Sequence, residues 1–175
     1  NENAVVYFAG NNIVNHNLES KEQRFLAYTD NERGDAKCVA VTPNVSLLAY
    51  ALEMDASRIH IVDVQSWNFK RPLVLPSGFP ATPFSALAFS SNGKYLIAIG
   101  VSTDSMLFYF DTSNGNLLGS HKITTGPSAT SASFQVTKIS LHPNEPNSIC
   151  CTGPGIFRQL TRSDKGFTVR QGPMA

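Results

Sequence analysis

The sequence has 175 residues, of which 42% are hydrophobic and 10% aromatic, so a sizeable core is available. The formal net charge is +1, and the 14 Lys and Arg residues are scattered, with no basic run longer than Lys70-Arg71. This pattern disfavours nucleic-acid binding, which normally needs a basic face. The apolar runs are far shorter than the roughly 20 residues of a membrane-spanning helix.

The first unit, residues 1–30, contains three short apolar runs, AVVYFAGN, NIVNHNLES and EQRFLAY. Short runs bounded by polar turn residues are typical of strands rather than helices. We interpret these three as the last three strands of a four-stranded unit.

The second unit, residues 36–77, has four such runs, CVAVTPN, LLAYALE, RIHIVDVQS and RPLVLP. Its first turn is predicted at Pro43-Asn44, and its third strand is predicted to end at Val62-Asp63. Four prolines between positions 72 and 83 separate this unit from the next. Proline at strand margins is compatible with outer, edge-like strands.

The third unit, residues 84–123, gives the clearest pattern. Its runs are separated by Ser91-Asn92-Gly93 and by a stretch that ends in Asn114-Gly115, and both can supply the positive φ angles of a tight turn. A four-stranded antiparallel meander is therefore predicted. The segments LIAI and MLFYF are apolar at every position, which indicates strands that are covered on both faces.

The fourth unit, residues 134–171, repeats the order with VTKISLHPNEPN, SICCTG, IFRQLTRSD and FTVRQ. Equivalent landmarks in the four units recur every 46–52 residues. The landmarks are Asn17, Asp63 and Asp111 at the end of the third strand, and Asn44, Asn92 and Asn144 in the first turn. A recurrence of this length with four strands per repeat is typical of WD-type propeller blades.

The fold class that follows is all-β: an incomplete WD-type β-propeller, with about three and a half four-stranded blades of a larger propeller along residues 1–175. The alternative is a β-sandwich with one unusually apolar sheet. An open arc of blades is expected to leave two apolar blade faces exposed, so the 175 residues alone are expected to aggregate or to fold poorly. The polar loops Asp30–Ala36 and Thr124–Phe134 are where partners are expected to bind.

No catalytic, cofactor or metal site is predicted, and no cofactor is expected. The sequence contains no phosphate-binding loop, dinucleotide fingerprint or nucleophile elbow. Gly153-Pro154-Gly155 is interpreted as a turn between two strands. The histidines lack zinc-ligand spacing, and His60 lies inside a strand, where a structural role is favoured. The four histidines are His16, His60, His121 and His142.

Two aspartates occupy equivalent repeat positions and could form a carboxylate pair. Asp63 and Asp111 each follow a predicted third strand. The favoured interpretation is that each carboxylate caps the turn that follows it, accepting backbone N–H bonds.

The cysteines Cys38, Cys150 and Cys151 all lie in apolar strand contexts. An odd count without a framework spacing favours buried free thiols in a reducing compartment. The adjacent pair Cys150-Cys151 should point to opposite faces of its strand. The N-glycosylation sequon Asn44-Val45-Ser46 falls on a predicted turn. We interpret it as a turn and not as a glycosylation site.

The sequence resembles the ciliary and flagellar WD-repeat proteins over nearly its whole length. The most specific stretch is VTKISLHPNEPNSICCTGPGIFRQLTRSDKGF. The residues that carry it are Ser140, Pro143, Glu145, Cys151, Thr152, Gly153, Gly155 and Phe157. The sequence departs from a standard WD repeat, because it has no Trp-Asp dipeptide and its single tryptophan, Trp67, lies outside the motif. The usual hydrogen-bond network of such repeats therefore cannot be carried over.

The resemblance implies a non-enzymatic scaffold of the ciliary or flagellar axoneme, with tandem propellers followed by a coiled coil. It also implies partners among inner-arm dynein subunits and proteins of the doublet microtubule. A non-ciliary WD-repeat adaptor of a cytosolic complex has the same fold and is the first alternative. A propeller enzyme is the less favoured alternative, because the first strands bring no acid, base and nucleophile together. The protein-interaction residues are unknown from the sequence.

Overall fold

The structure is a computed structural model, and it describes residues 3–9, 12–26, 36–52, 58–101, 105–123 and 136–172. All regular structure in these ranges is β-strand, as predicted. The predicted partner-binding loops at 30–36 and 124–134 lie outside the described residues, apart from Ala36. No helix long and apolar enough to cross a membrane occurs in the described ranges.

The first sheet has three antiparallel strands in the order β1-β2-β3. They are β1 (Ala4–Ala9), β2 (Asn12–Asn17) and β3 (Gln23–Phe25). Ile13 and Val14 of β2 are buried, whereas β3 is exposed along its length. The outermost strand therefore faces solvent, as the blade interpretation requires.

The second sheet differs from the prediction at its outer edge. Its strands are β4 (Ala36–Val41), β5 (Leu47–Leu52), β6 (Arg58–Asp63), β7 (Asn68–Phe69) and β8 (Leu73–Val74). A single fourth strand at RPLVLP was predicted, but β7 and β8 both pair with β6, two residues each. Pro72 lies between them and has no N–H to donate to the ladder, which explains the division of this strand.

The third sheet is the predicted meander, with strand order β12-β11-β10-β9. Its strands are β9 (Phe84–Phe89), β10 (Tyr95–Val101), β11 (Ser105–Asp111) and β12 (Leu117–Lys122). Gly93 and Gly115 sit in the two predicted turns with φ angles of 67° and 76°. A side chain is disfavoured at such angles, which is why glycine closes both hairpins.

The fourth sheet contains β13 (Lys138–Leu141), β14 (Ser148–Gly153), β15 (Ile156–Ser163) and β16 (Gly166–Gln171). Gly153 pairs with Ile156, so Pro154-Gly155 forms the two-residue turn predicted there. Gly155 has a φ angle of 65°. This glycine-rich stretch is therefore a hairpin turn in the structure.

Three apolar clusters join the four sheets in chain order. One lies between the first and second sheets and contains Ile13, Tyr50 and Val62. The next joins the second and third sheets, and the last joins the third and fourth sheets. Strands β5, β6, β10 and β11 are buried on both faces, as predicted for LIAI and MLFYF. Four sheets stacked in succession are consistent with an incomplete propeller, and a two-sheet sandwich lacks this arrangement.

The first strands of neighbouring sheets approach one another. The Cys38 Sγ–H of β4 donates to the Phe84 carbonyl oxygen of β9 over 3.5 Å. The Ser85 hydroxyl of β9 donates to the carbonyl oxygen of Val136, just before β13, over 3.2 Å. Strands β4, β9 and β13 are therefore the inner strands of the stack, and β7, β12 and β16 are the outer ones.

The two end faces of the stack are not alike. The outward face of the first sheet exposes Val5, Tyr7 and Phe25, as predicted for an open arc. On the fourth sheet, Ser140, Cys150, Gln159 and Arg170 form one cross-strand row on the outward face. In the described part of that face, Phe157 is the one large apolar side chain. The prediction of two exposed apolar faces is therefore wrong at this end, because alternate residues of β13–β16 are polar.

Candidate interaction surface

The histidines are dispersed over the structure. His60 is buried and stacks on Tyr50 with a centroid distance of 4.9 Å. His16 contacts Tyr7, and His121 contacts Phe167. The Nδ1 atom of His142 accepts a bond from the backbone N–H of Asn144. Within the described ranges, no three His, Cys, Asp or Glu side chains are grouped so that they could hold a metal ion.

Asp63 and Asp111 cap their own turns, as predicted. The Oδ1 atom of Asp63 accepts from the backbone N–H of Gln65 at 3.2 Å and of Ser66 at 3.0 Å. The Oδ1 atom of Asp111 accepts from the backbone N–H and the hydroxyl of Ser113. The bond from the Ser66 N–H lowers the pKa of Asp63, and the bond from the Ser113 hydroxyl lowers the pKa of Asp111. Both groups are therefore held in the ionised form, which suits a cap rather than a proton donor.

Asn17 takes the same place in the first sheet. Its Oδ1 atom accepts from the backbone N–H of Glu19 at 2.9 Å and of Ser20 at 3.1 Å. The last residue of β2 is thus structurally equivalent to the last residues of β6 and β11. This equivalence agrees with the choice of Asn17, Asp63 and Asp111 as landmarks of the repeat.

The prediction of buried thiols is confirmed for Cys151 and is wrong for Cys38 and Cys150, which are only half-buried. Burial raises the pKa values of Cys38 and Cys151 to about 12 each. Cys151 is buried in the cluster between the third and fourth sheets, whereas Cys150 lies on the outward face. The adjacent pair therefore points to opposite faces, as predicted, and the raised pKa values make Cys38 and Cys151 poor nucleophiles.

A groove of about 420 Å³ separates the first sheet from one rim of the second sheet. One wall consists of strand residues of the first sheet. The opposite wall consists of the turn after β4 and the turn after β6. The polar and charged residues of the lining include Asn15, Glu22, Arg24, Asn44, Asp63 and Gln65.

The groove is polar and carries charges of both signs. Arg24 and Glu22 are 3.9 Å apart, and Asp63 is paired with Lys70 at 3.5 Å. Carboxamide side chains from both walls can donate and accept hydrogen bonds with a peptide backbone. The groove therefore suits an extended polar segment of another protein better than an apolar small molecule.

The sequence did not predict this surface. Asn17, Asn44 and Asp63 are repeat landmarks, but the approach of Asn44 and Asp63 to the wall that holds Asn17 depends on how two sheets pack. The only available signal was that turns from successive repeats lie on the same rim of a stack of sheets.

Comparisons with known proteins show what the chain as a whole is similar to. No protein-family model matches the chain. The chain is 27% identical over 161 residues to mouse cilia- and flagella-associated protein 57, which covers 91% of this chain. It is 29% identical over 165 residues to cilia- and flagella-associated protein 57 C of Tetrahymena thermophila, which covers 89%. It spans only 12% of the length of each relative.

The names of these relatives refer to cilia and flagella, which implies a ciliary or flagellar location for this chain. The relatives come from a mammal and a ciliate, and both match along nearly all of the present sequence. The chain is thus a homologue of a segment of cilia- and flagella-associated protein 57, in agreement with the ciliary and flagellar resemblance in its sequence.

Proposed function

We propose that the chain is part of a non-enzymatic scaffold of the ciliary or flagellar axoneme. In this role it helps to dock or regulate inner dynein arms on doublet microtubules. The observation that carries the proposal is the similarity of nine tenths of the chain to two cilia- and flagella-associated proteins. A stack of sheets joined by apolar clusters also supports a role in assembly, because its exposed turns present polar side chains to partners.

In the proposed scaffold, the four units at 1–30, 36–77, 84–123 and 134–171 are blades of one propeller that other parts of the protein complete. A coiled coil elsewhere in the protein provides length along the microtubule. The groove between the first and second sheets is the proposed contact surface for an axonemal partner. Its mixed charges favour a partner segment that is polar and extended, and Arg24 is the cation in its wall.

The test is the release of the full-length protein from demembranated axonemes under graded salt, followed by mass spectrometry. We expect the protein to be released together with inner-arm dynein heavy chains. Arg24→Glu should shift this release to lower salt, because a charge reversal at an interface weakens association. Lys165→Glu, in the exposed turn between β15 and β16, is the matched control and should be released like the wild type.

Each possible outcome tests a different part of the proposal: the dynein role, the groove or the ciliary location. Release of the protein apart from dynein heavy chains at every salt concentration would contradict the dynein role. Identical release of the Arg24→Glu variant and the wild type would contradict the groove as the contact surface. Recovery of the protein only in the soluble cytosolic fraction would favour a non-ciliary adaptor.

A further inference from the structure

The turn after β4 and the turn after β9 are closed by the same backbone hydrogen bonds. The N–H of Val45 donates to the carbonyl oxygen of Thr42 over 2.8 Å, and the N–H of Gly93 donates to that of Ser90 over 2.9 Å. Val45 and Gly93 are 48 residues apart, which is also the spacing between Asp63 and Asp111. Val45 is therefore the equivalent of Gly93 in the second sheet.

The backbone at this turn position suits glycine. The φ angle is 67° at Gly93 and 54° at Val45. Such angles are rare for residues other than glycine, and for a β-branched side chain they are a genuine outlier. Val45 is thus held in a conformation that lowers the stability of the fold and that glycine would adopt without strain.

Core packing does not offset this strain. Val45 is 45% exposed and belongs to none of the three apolar clusters of the described residues. Trp67 also has a positive φ angle, 57°, but it packs against the cluster between the first and second sheets. Lys21, with a φ angle of 60°, is not branched at Cβ. The strain at Val45 therefore calls for a reason outside the core.

The surroundings of Val45 supply that reason, because this side chain lines the groove between the first and second sheets. The other apolar residues of the lining are Ala4, Val6 and Val64, and all three are half-buried. Val6 and Val64 pack against the apolar cluster beneath them. The polar groove thus contains a small apolar floor, and Val45 is the exposed apolar side chain beside it.

We propose that Val45 determines the specificity of the groove. The partner segment carries one apolar side chain that packs on Val45 and Val64, flanked by polar residues that hydrogen-bond with the carboxamides of Asn15 and Asn44. An extended peptide is commonly selected in this way, since backbone bonds give affinity and pockets for single side chains give specificity. The inference rests on the proposed contact surface and adds the chemical pattern of the segment that binds there.

The test is the binding of the purified full-length protein to demembranated axonemes from cells that lack it. Val45→Gly removes the side chain and the strain, whereas Val45→Thr keeps the branching and the strain but replaces a methyl group with a hydroxyl group. Both variants should bind about tenfold more weakly, the order of magnitude expected when one buried apolar contact is lost. Lys21→Gly is the matched control, because it changes a positive-φ residue that does not line the groove, and it should bind like the wild type.

Hydrogen exchange of the same full-length proteins distinguishes a binding role from a structural one. The amides of β4 and β5 should exchange no faster in Val45→Gly than in the wild type, because glycine adopts the turn without strain. Weak binding accompanied by faster exchange of these strands would show that Val45 supports the fold, and it would overturn the proposal.

The salt dependence of binding distinguishes this inference from the proposed contact surface itself. The loss in Val45→Gly should be the same factor at every salt concentration, whereas the loss in Arg24→Glu should shrink as salt screens the charge. Normal binding of both Val45 variants, with weak binding of Arg24→Glu, would overturn the role of Val45 and leave the groove as the contact surface. Normal binding of all three variants would contradict both.

Discussion

Phe108→Ala should lower the free energy of unfolding by about 3–5 kcal/mol, the usual cost of truncating a fully buried aromatic side chain. Phe108 is 1% exposed and lies in the cluster between the second and third sheets. Its ring contacts Phe79 and Phe84 edge-on, at centroid distances of 5.4 and 6.1 Å. Such pairs add to the energy of burial, and all of these contacts are lost in the variant.

The measurement is urea unfolding followed by circular dichroism, with Phe157→Ala as the matched control. Phe157 is 42% exposed on the outward face of the fourth sheet, so its truncation should cost about 1 kcal/mol or less. Equal losses in the two variants would show that the second and third sheets do not share a packed interface at Phe108.

Ile149→Asp should be as damaging as Phe108→Ala, whereas Cys150→Asp should be tolerated. Ile149 is fully buried and lies between Leu141 and Leu160 on the inward face of the fourth sheet. A carboxylate there has apolar cross-strand neighbours on both sides, and an unpaired buried charge costs about 3–5 kcal/mol. The loss should shrink as the pH falls, since protonation of the carboxyl group removes the charge.

The adjacent residue is the control for this prediction. Cys150 points to the other face, between Ser140 and Gln159, where a carboxylate can be solvated. The fraction of the 175-residue chain that stays soluble, and the urea midpoint of that fraction, should change little in Cys150→Asp. Similar damage in the two variants would contradict the assignment of an apolar inward face and a polar outward face.

Much of the fold could be predicted from local chemistry. Asn-Gly turns fixed the hairpins of the third sheet, and runs that are apolar at every position identified strands buried on both faces. The repeat followed from turn residues, and the equivalent hydrogen bonds of Asn17, Asp63 and Asp111 confirm their spacing. These features depend on the backbone conformation of a few neighbouring residues, so the sequence records them directly.

The features that were not predicted depend on which strands face each other. The stretch SICC suggests a strand that is apolar on both faces. In the structure, however, Cys150 lies between two polar residues, Ser140 of β13 and Gln159 of β15. The exposure of Val39 and Val41 depends on which described strands pack against β4, and no local pattern encodes that. The groove likewise arises only when two sheets meet at their rims.

The most direct test of the central claim is the location of the tagged full-length protein in ciliated cells, measured before and after removal of the membrane by detergent. If the chain belongs to an axonemal scaffold, most of the ciliary signal should remain with the axonemes after detergent extraction. Loss of the signal to the soluble fraction, or its absence from cilia, would contradict the account.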